Sequence, residues 1–271
     1  MIEEIREKLG AIQKGSKMVG DLLRSYENLK KKKIANPYKL EELVSKIEKS
    51  INLYPIEGIK EMIVDWVKEE RPFIERLKEE FTSQFANELS RLLREKGFEL
   101  RGQCPNLYSG LYTIKLEFGL GRARIGWGPE PISTTRLAPE DVVECIDRFE
   151  KMLKGRRFDP DDFASRLLEA YRRRLTLEGK ADGEKVCLVD VLNELVFLQQ
   201  DRGFRADPTK ARFKGYGRCM FGYDLSRLKK MGARSMKLYT ATFDSTRFRD
   251  KVIFVPEGEG GTRYGYISFE D

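Results

Sequence analysis

Apolar residues recur at helical spacing from Ile2 to Leu92, and beyond Gly97 that rhythm stops. A chain patterned this way builds an all-helical region first and something of a different period after it. The opening stretch is the most regular. Ile2, Ile5, Leu9, Ile12, Ser16, Val19, Leu23 and Tyr26 are spaced 3-4-3-4-3-4-3, a heptad seam with one polar position at Ser16. All eight fall on one stripe of a helix, the pattern of a coiled-coil or helical-hairpin contact. Two readings stay open here. Either this is a long helix lying on its own domain, or Ile2, Ile5, Leu9, Ile12, Val19, Leu23 and Tyr26 bind a partner subunit or a second copy.

The run Lys30-Lys31-Lys32-Lys33 complements the helix dipole, and Asn36-Pro37 ends the helix. Leu40, Leu43, Val44, Ile47 and Ile51 mark a second helix, and Ile59, Met62, Ile63, Trp66 and Val67 a third. A proline interrupts next. Because proline removes a hydrogen bond inside a helix, a fourth helix is expected to start near Pro72 and run to Gly97. Residues 1–97 are therefore expected to be entirely helical.

From Phe98 the grammar is that of hairpins. Tyr112–Phe118 and Arg122–Ile125 alternate around Gly119 and Gly121, and Gly126 to Pro131 closes the segment. These glycines match no phosphate-binding pattern and read as turns. Helices resume at 139–153, 160–178, 187–200 and 217–231, followed by strands at 236–243, 251–255 and 263–269. Asp159-Pro160-Asp161-Asp162 is a complete helix start: an Asp cap, proline in the first position and two acids in the first turn. The fold class is α+β, in three regions: helical 1–97, a β-hairpin segment 98–136, and a basic α+β domain 139–271.

Composition then removes whole classes of chemistry. The 271 residues contain no His, which excludes His acid–base catalysis, Ser/His or Cys/His nucleophiles and His-ligated zinc. The four cysteines, Cys104, Cys145, Cys187 and Cys219, form no CxxC pair and read as reduced, packed thiols of a reducing, cytoplasmic compartment. No apolar run reaches the ~18 residues of a membrane span, and Met1-Ile2-Glu3-Glu4 reads as the start of a charged helix rather than a signal peptide. A two-metal nuclease needs clustered carboxylates only. Glu140, Asp141, Glu144 and Asp147, or Asp159, Asp161 and Asp162, are the candidates, yet both groups sit where a helix N-terminus already favours acids. No catalytic residue, metal or cofactor is expected.

Charge is where function concentrates. The net charge is +7, and the segment from Arg202 to Lys237 alone carries eleven basic residues against Asp207 and Asp224. Such asymmetry calls for an acidic partner, nucleic acid first. In the stretch from Arg202 to Arg218, Phe204, Phe213 and Tyr216 are interleaved with Arg205, Lys210, Arg212 and Lys214, so cations for phosphates alternate with rings that could stack on bases or anchor the loop.

The order of three helices (160–178, 187–200, 217–231) and a β-hairpin resembles a winged helix-turn-helix module. That resemblance implies a groove-reading helix at 217–231 bearing Arg218, Arg227, Lys229 and Lys230, and a wing bearing Arg247 and Arg249. The sixteen or so residues between the last two helices depart from the family's tight turn. The combined expectation is a non-catalytic, DNA- or RNA-associated subunit of a larger prokaryotic assembly. It resembles the accessory subunits of chromosome-maintenance or phage-defence ATPase complexes, with other subunits, an ATPase among them, or a second copy as partners and no membrane. The competing readings are a protein-interaction scaffold docked on an acidic subunit, and a metal-dependent nuclease.

Overall fold

The computed structural model describes residues 2–32, 36–53, 58–232, 235–258 and 260–270. They group into two units. One comprises residues 1–107, 115–123 and 134–143, the other residues 108–114, 124–133 and 144–271. The expected hairpin segment, 98–136, has residues in both.

In the first unit, helices α1 (Ile2–Lys30), α2 (Pro37–Leu53) and α3 (Ile59–Glu95) share one core. Val19, Tyr26, Leu40, Val44, Ile47, Ile51, Ile63, Val67 and Ile74 bury together, each from the stripe its spacing marks. Polar clamps fix the register of the bundle. Tyr26 Oη donates to Glu70 at 2.5 Å, Lys30 Nζ to the same carboxylate at 2.7 Å, and Arg71 pairs with Glu48 at 2.5 Å.

The helix expected to begin at Pro72 does not. Pro72 lies inside α3, which is continuous from Ile59 to Glu95. Ile63 and Val67 before the proline and Ile74 after it bury in the same cluster, so tertiary packing outweighs the one hydrogen bond that proline forfeits. The helix ends as expected: Gly97 takes φ 80°, and Phe98 N donates back to Leu93 O at 3.0 Å.

Strands β1 (Arg101–Gln103), β2 (Asn106–Ser109), β3 (Tyr112–Glu117), β4 (Arg122–Trp127) and β5 (Glu130–Arg136) follow, each hydrogen-bonded to its sequence neighbour. The hairpin alternation located β3 and β4. Strands β1, β2 and β5 escaped it, because their burial patterns give at most two inward residues.

Helix α4 (Pro139–Lys154) leads to α5 (Pro160–Glu178), where Asp159 caps as its sequence foretold, accepting from the backbone of Asp161 and Asp162 at 3.1 Å. The second unit continues with β6 (Val186–Cys187), α6 (Leu188–Leu198), a short α7 (Arg202–Ala206) and α8 (Arg218–Lys230). Strands β7 (Met236–Thr240), β8 (Ile253–Glu257) and β9 (Gly260–Phe269) complete it. The sheet runs β6-β9-β7, all antiparallel, with β8 also paired to β9. Tyr264 faces both Thr240 of β7 and Ile253 of β8, which puts those strands on opposite edges of β9. Phe163, Leu167, Tyr171, Leu188, Leu195, Phe221, Leu225 and Ile267 form the core between helices and sheet. The fold is mixed α+β, with a helical N-terminal region and C-terminal β-hairpin strands.

Candidate nucleic-acid interface and docking seam

The basic segment is built around two buried carboxylates. Glu130 opens β5 with only 4% of its side chain exposed. Arg218 Nε donates to its Oε1 at 2.8 Å, and Arg249 donates to Oε2 through Nε (2.9 Å) and Nη2 (2.7 Å). Arg218 also donates to Val252 O. One buried carboxylate thereby joins β5, the start of α8 and the loop before β8.

The second carboxylate is Asp224 in α8, whose side chain is 3% exposed. Arg156 grips it bidentately at 3.0 and 3.1 Å, and Tyr216 Oη donates to it at 2.7 Å. Arg227 reaches only 3.9 Å from it and instead lays its guanidinium 4.0 Å over the Phe158 ring. Burial, and then the neighbouring Asp224 charge, push the Tyr216 phenol well above its ordinary range. Tyr216 is an anchor for its loop, and its ring is not offered for stacking.

The loop before α8 is also organised. Gln200 is buried and acts as a staple: its Nε2 donates to Val196 O and Lys214 O, and its Oε1 accepts from Lys214 N at 2.9 Å. Asp201 caps α7 and pairs with Lys214 at 2.9 Å, while Arg212 pairs with Asp207 at 3.2 Å and donates to Gly203 O. Arg205 donates to Leu198 O at 3.1 Å. Phe204 and Phe213 pack edge-on 5.5 Å apart, with Phe213 exposed.

Much of the local positive charge is therefore balanced. Lys229 pairs with Glu257 (2.5 Å), and Lys237 with Glu270 (3.1 Å), acids that lie outside the basic segment. Arg234 lies outside the described residues. Arg202, Arg205, Lys210 and Lys230 have no acidic partner among the described residues. Of the wing residues, Arg249 serves Glu130, and Arg247 stacks 5.2 Å over the exposed Phe243. The wing itself is a pair of short 3-10 turns, Ser245–Arg247 and Arg249–Lys251, in place of a hairpin tip.

Helix α8 departs furthest from expectation. Its residues from Arg218 to Leu228 are buried or half-buried on every face, and only Lys229 and Lys230 are exposed. Strand β8 lies so close that a Cβ on Gly222 would stand 2.0 Å from Phe254 O. No face of this helix is free to enter a groove. The local sequence holds no signal for this cover, since Glu130 precedes its partners Arg218 and Arg249 by 88 and 119 positions.

The heptad seam divides in two. Val19 and Tyr26 are buried and Leu23 half-buried in the bundle, but Ile2, Ile5, Leu9 and Ile12 are 73, 51, 60 and 48% exposed. Every residue from 2 to 14 is exposed.

Four of the carboxylates considered as metal ligands are held in ion pairs, and Asp159 caps α5. Asp141 pairs with Arg136, Glu144 with Arg148, Asp147 with Lys151 and Asp162 with Arg166, and among the described residues no group of three could hold a metal ion. The four cysteines are free and half-buried, and burial raises the Cys219 thiol to about 11. Among the described residues no helix is long and apolar enough to cross a membrane. Comparison with protein-family models, with curated proteins and with solved structures returns no match.

Proposed function

We propose that this chain is a non-catalytic, nucleic-acid-associated subunit of a larger assembly, and that it touches DNA or RNA through the loop 202–214. The observation that carries the reading is the set of cations left over. In a segment where tertiary structure supplies acids to most basic groups, Arg202, Arg205 and Lys210 keep none, and they stand in one short loop with the exposed Phe213. Uncompensated guanidinium and ammonium groups gain by releasing counterions from a phosphate backbone. The winged-helix resemblance is supported by the strand between α5 and α6 and by its place in the β6-β9-β7 sheet. The burial of α8 moves the contact from a groove-reading helix to this loop, with Lys230 and Arg247 as further contacts. Arg218, Tyr216, Arg227 and Arg249 take structural roles.

A scaffold that docks on an acidic subunit is the second reading, and the exposed apolar half of α1 favours it. Salt separates the two. Binding to random-sequence duplex weakens linearly in log salt, and Arg202→Ala with Arg205→Ala and Lys210→Ala flattens that slope by up to about three units while leaving the fold intact. Unchanged affinity and slope in the triple variant, read by fluorescence anisotropy, would remove the nucleic-acid reading of the loop.

A further inference from the structure

We propose that residues 2–14 of α1 are a docking arm for a helix of another protein that carries acidic residues beside its apolar seam. This does not rest on the nucleic-acid reading, since the arm belongs to the first unit and its chemistry is apolar. The exposed stretch is thirteen residues long, roughly 20 Å of helix at 1.5 Å per residue. Ile2, Ile5, Leu9 and Ile12 continue the line that Val19 and Tyr26 bury against α2 and α3, so the same seam is satisfied at one end and bare at the other. Four aliphatic side chains at these exposures present roughly 400 Å² of apolar surface, the size of the largest apolar patch on a typical monomer, which is often functional. A seam of this 3-4 spacing accepts the knobs of another helix.

Charge on the flanks selects which helix. With Ile2 and Leu9 as a positions and Ile5 and Ile12 as d positions, the e positions are Arg6 and Gln13 and the g positions Lys8 and Gly15. No acid stands beside the seam. Glu3, Glu4 and Glu7 fall at b, c and f, further round the helix, and Glu4 pairs with Lys8 at 3.2 Å in an open, exposed pair. A second copy gains nothing from these flanks. Laid parallel it sets Lys8 against Gln13, and laid antiparallel it sets Arg6 against Arg6 and Lys8 against Lys8. A helix with Glu or Asp at e and g meets Arg6 and Lys8 with opposite charge, the device that sets partner choice in coiled coils.

The test uses the full chain and two synthetic four-heptad peptides with Ile and Leu at a and d. One carries Glu at e and g, the other Lys. Light scattering is expected to give a monomer at tens of micromolar. In fluorescence anisotropy at low salt the Glu peptide binds and the Lys peptide binds at least tenfold more weakly. Ile5→Asp with Ile12→Asp abolishes binding with the circular dichroism spectrum unchanged, and Arg6→Glu with Lys8→Glu inverts the peptide preference. A dimer that Ile5→Asp and Ile12→Asp dissolve would overturn the proposal in favour of a second copy. Equal binding of both peptides, binding that survives the aspartates, or no binding of the Glu peptide would each overturn it as well.

Discussion

The N-terminal half of α1 and the whole of α8 are both stretches in which pattern points to a surface role, and their surroundings are inverted. The apolar half of α1 stands in solvent with Ile2, Ile5, Leu9 and Ile12 bare, whereas α8, rich in Arg and Lys, is buried nearly all round. Apolar periodicity reports what a helix can bury, and burial happens only if another element is long enough to reach it. In this chain α2 has 17 residues against 29 in α1, and α3, although 37 residues long, adds only Ile63, Val67 and Ile74 to the buried cluster, so the start of α1 is left uncovered. Basic residues report charge, and exposure follows only if no acid is folded against them. For α8, Glu130 and Glu257 come from distant strands, and Asp224 recruits Arg156.

The sharpest way to break this comparison is at Asp224. Replacing it with Ala leaves the half-buried Arg156 without its carboxylate and Tyr216 without its acceptor, and losing a charge-assisted and a hydroxyl hydrogen bond together costs about 3–4 kcal/mol. Chemical denaturation should show that loss. A cost below about 1 kcal/mol would mean that α8 is held by its apolar face alone and that its polar cover is incidental. Next in size is Gly222→Ala. Its new methyl meets Phe254 O of β8, so helix and strand must separate, at roughly 2–3 kcal/mol. A neutral result in thermal melting would show that α8 can leave β8, which would reopen the groove-reading role.

The smallest effect is expected on the other side of the comparison. Ile5→Ala should change stability by less than about 0.5 kcal/mol, because the side chain touches no core. A loss above ~1 kcal/mol in the isolated chain would show that the arm is covered in solution and is not free to dock.

Local rules carried far in some places and failed in identifiable ways in others. The Asp159 cap, the Gly97 stop and the boundaries of α5 were legible because each depends on residues within one helical turn. Pro72 misled, since its local penalty is fixed while the packing that outweighs it comes from Ile63, Val67 and Ile74 together. Strands β1 and β2 were too short for alternation to register. Tyr216 and Phe213 look alike in sequence, as rings between cations. One is an anchor and the other is exposed, and the difference is Asp224, eight residues further along the chain.

By itself the sequence determined the helical character of the N-terminal region, seen in α1, α2 and α3, the α+β class, the seam on α1 and the positions of the basic groups. All of these follow from spacing and residue type within a turn or a strand, where the forces are short-ranged and sequential. Tertiary structure alone decided which half of the seam is covered and which cations keep their charge available. Coverage depends on which stretches of three helices meet on folding, and charge on carboxylates brought together across gaps such as the 88 residues between Glu130 and Arg218. Electrostatic and apolar contacts act through space, so a feature built from distant partners leaves no trace in the neighbouring letters.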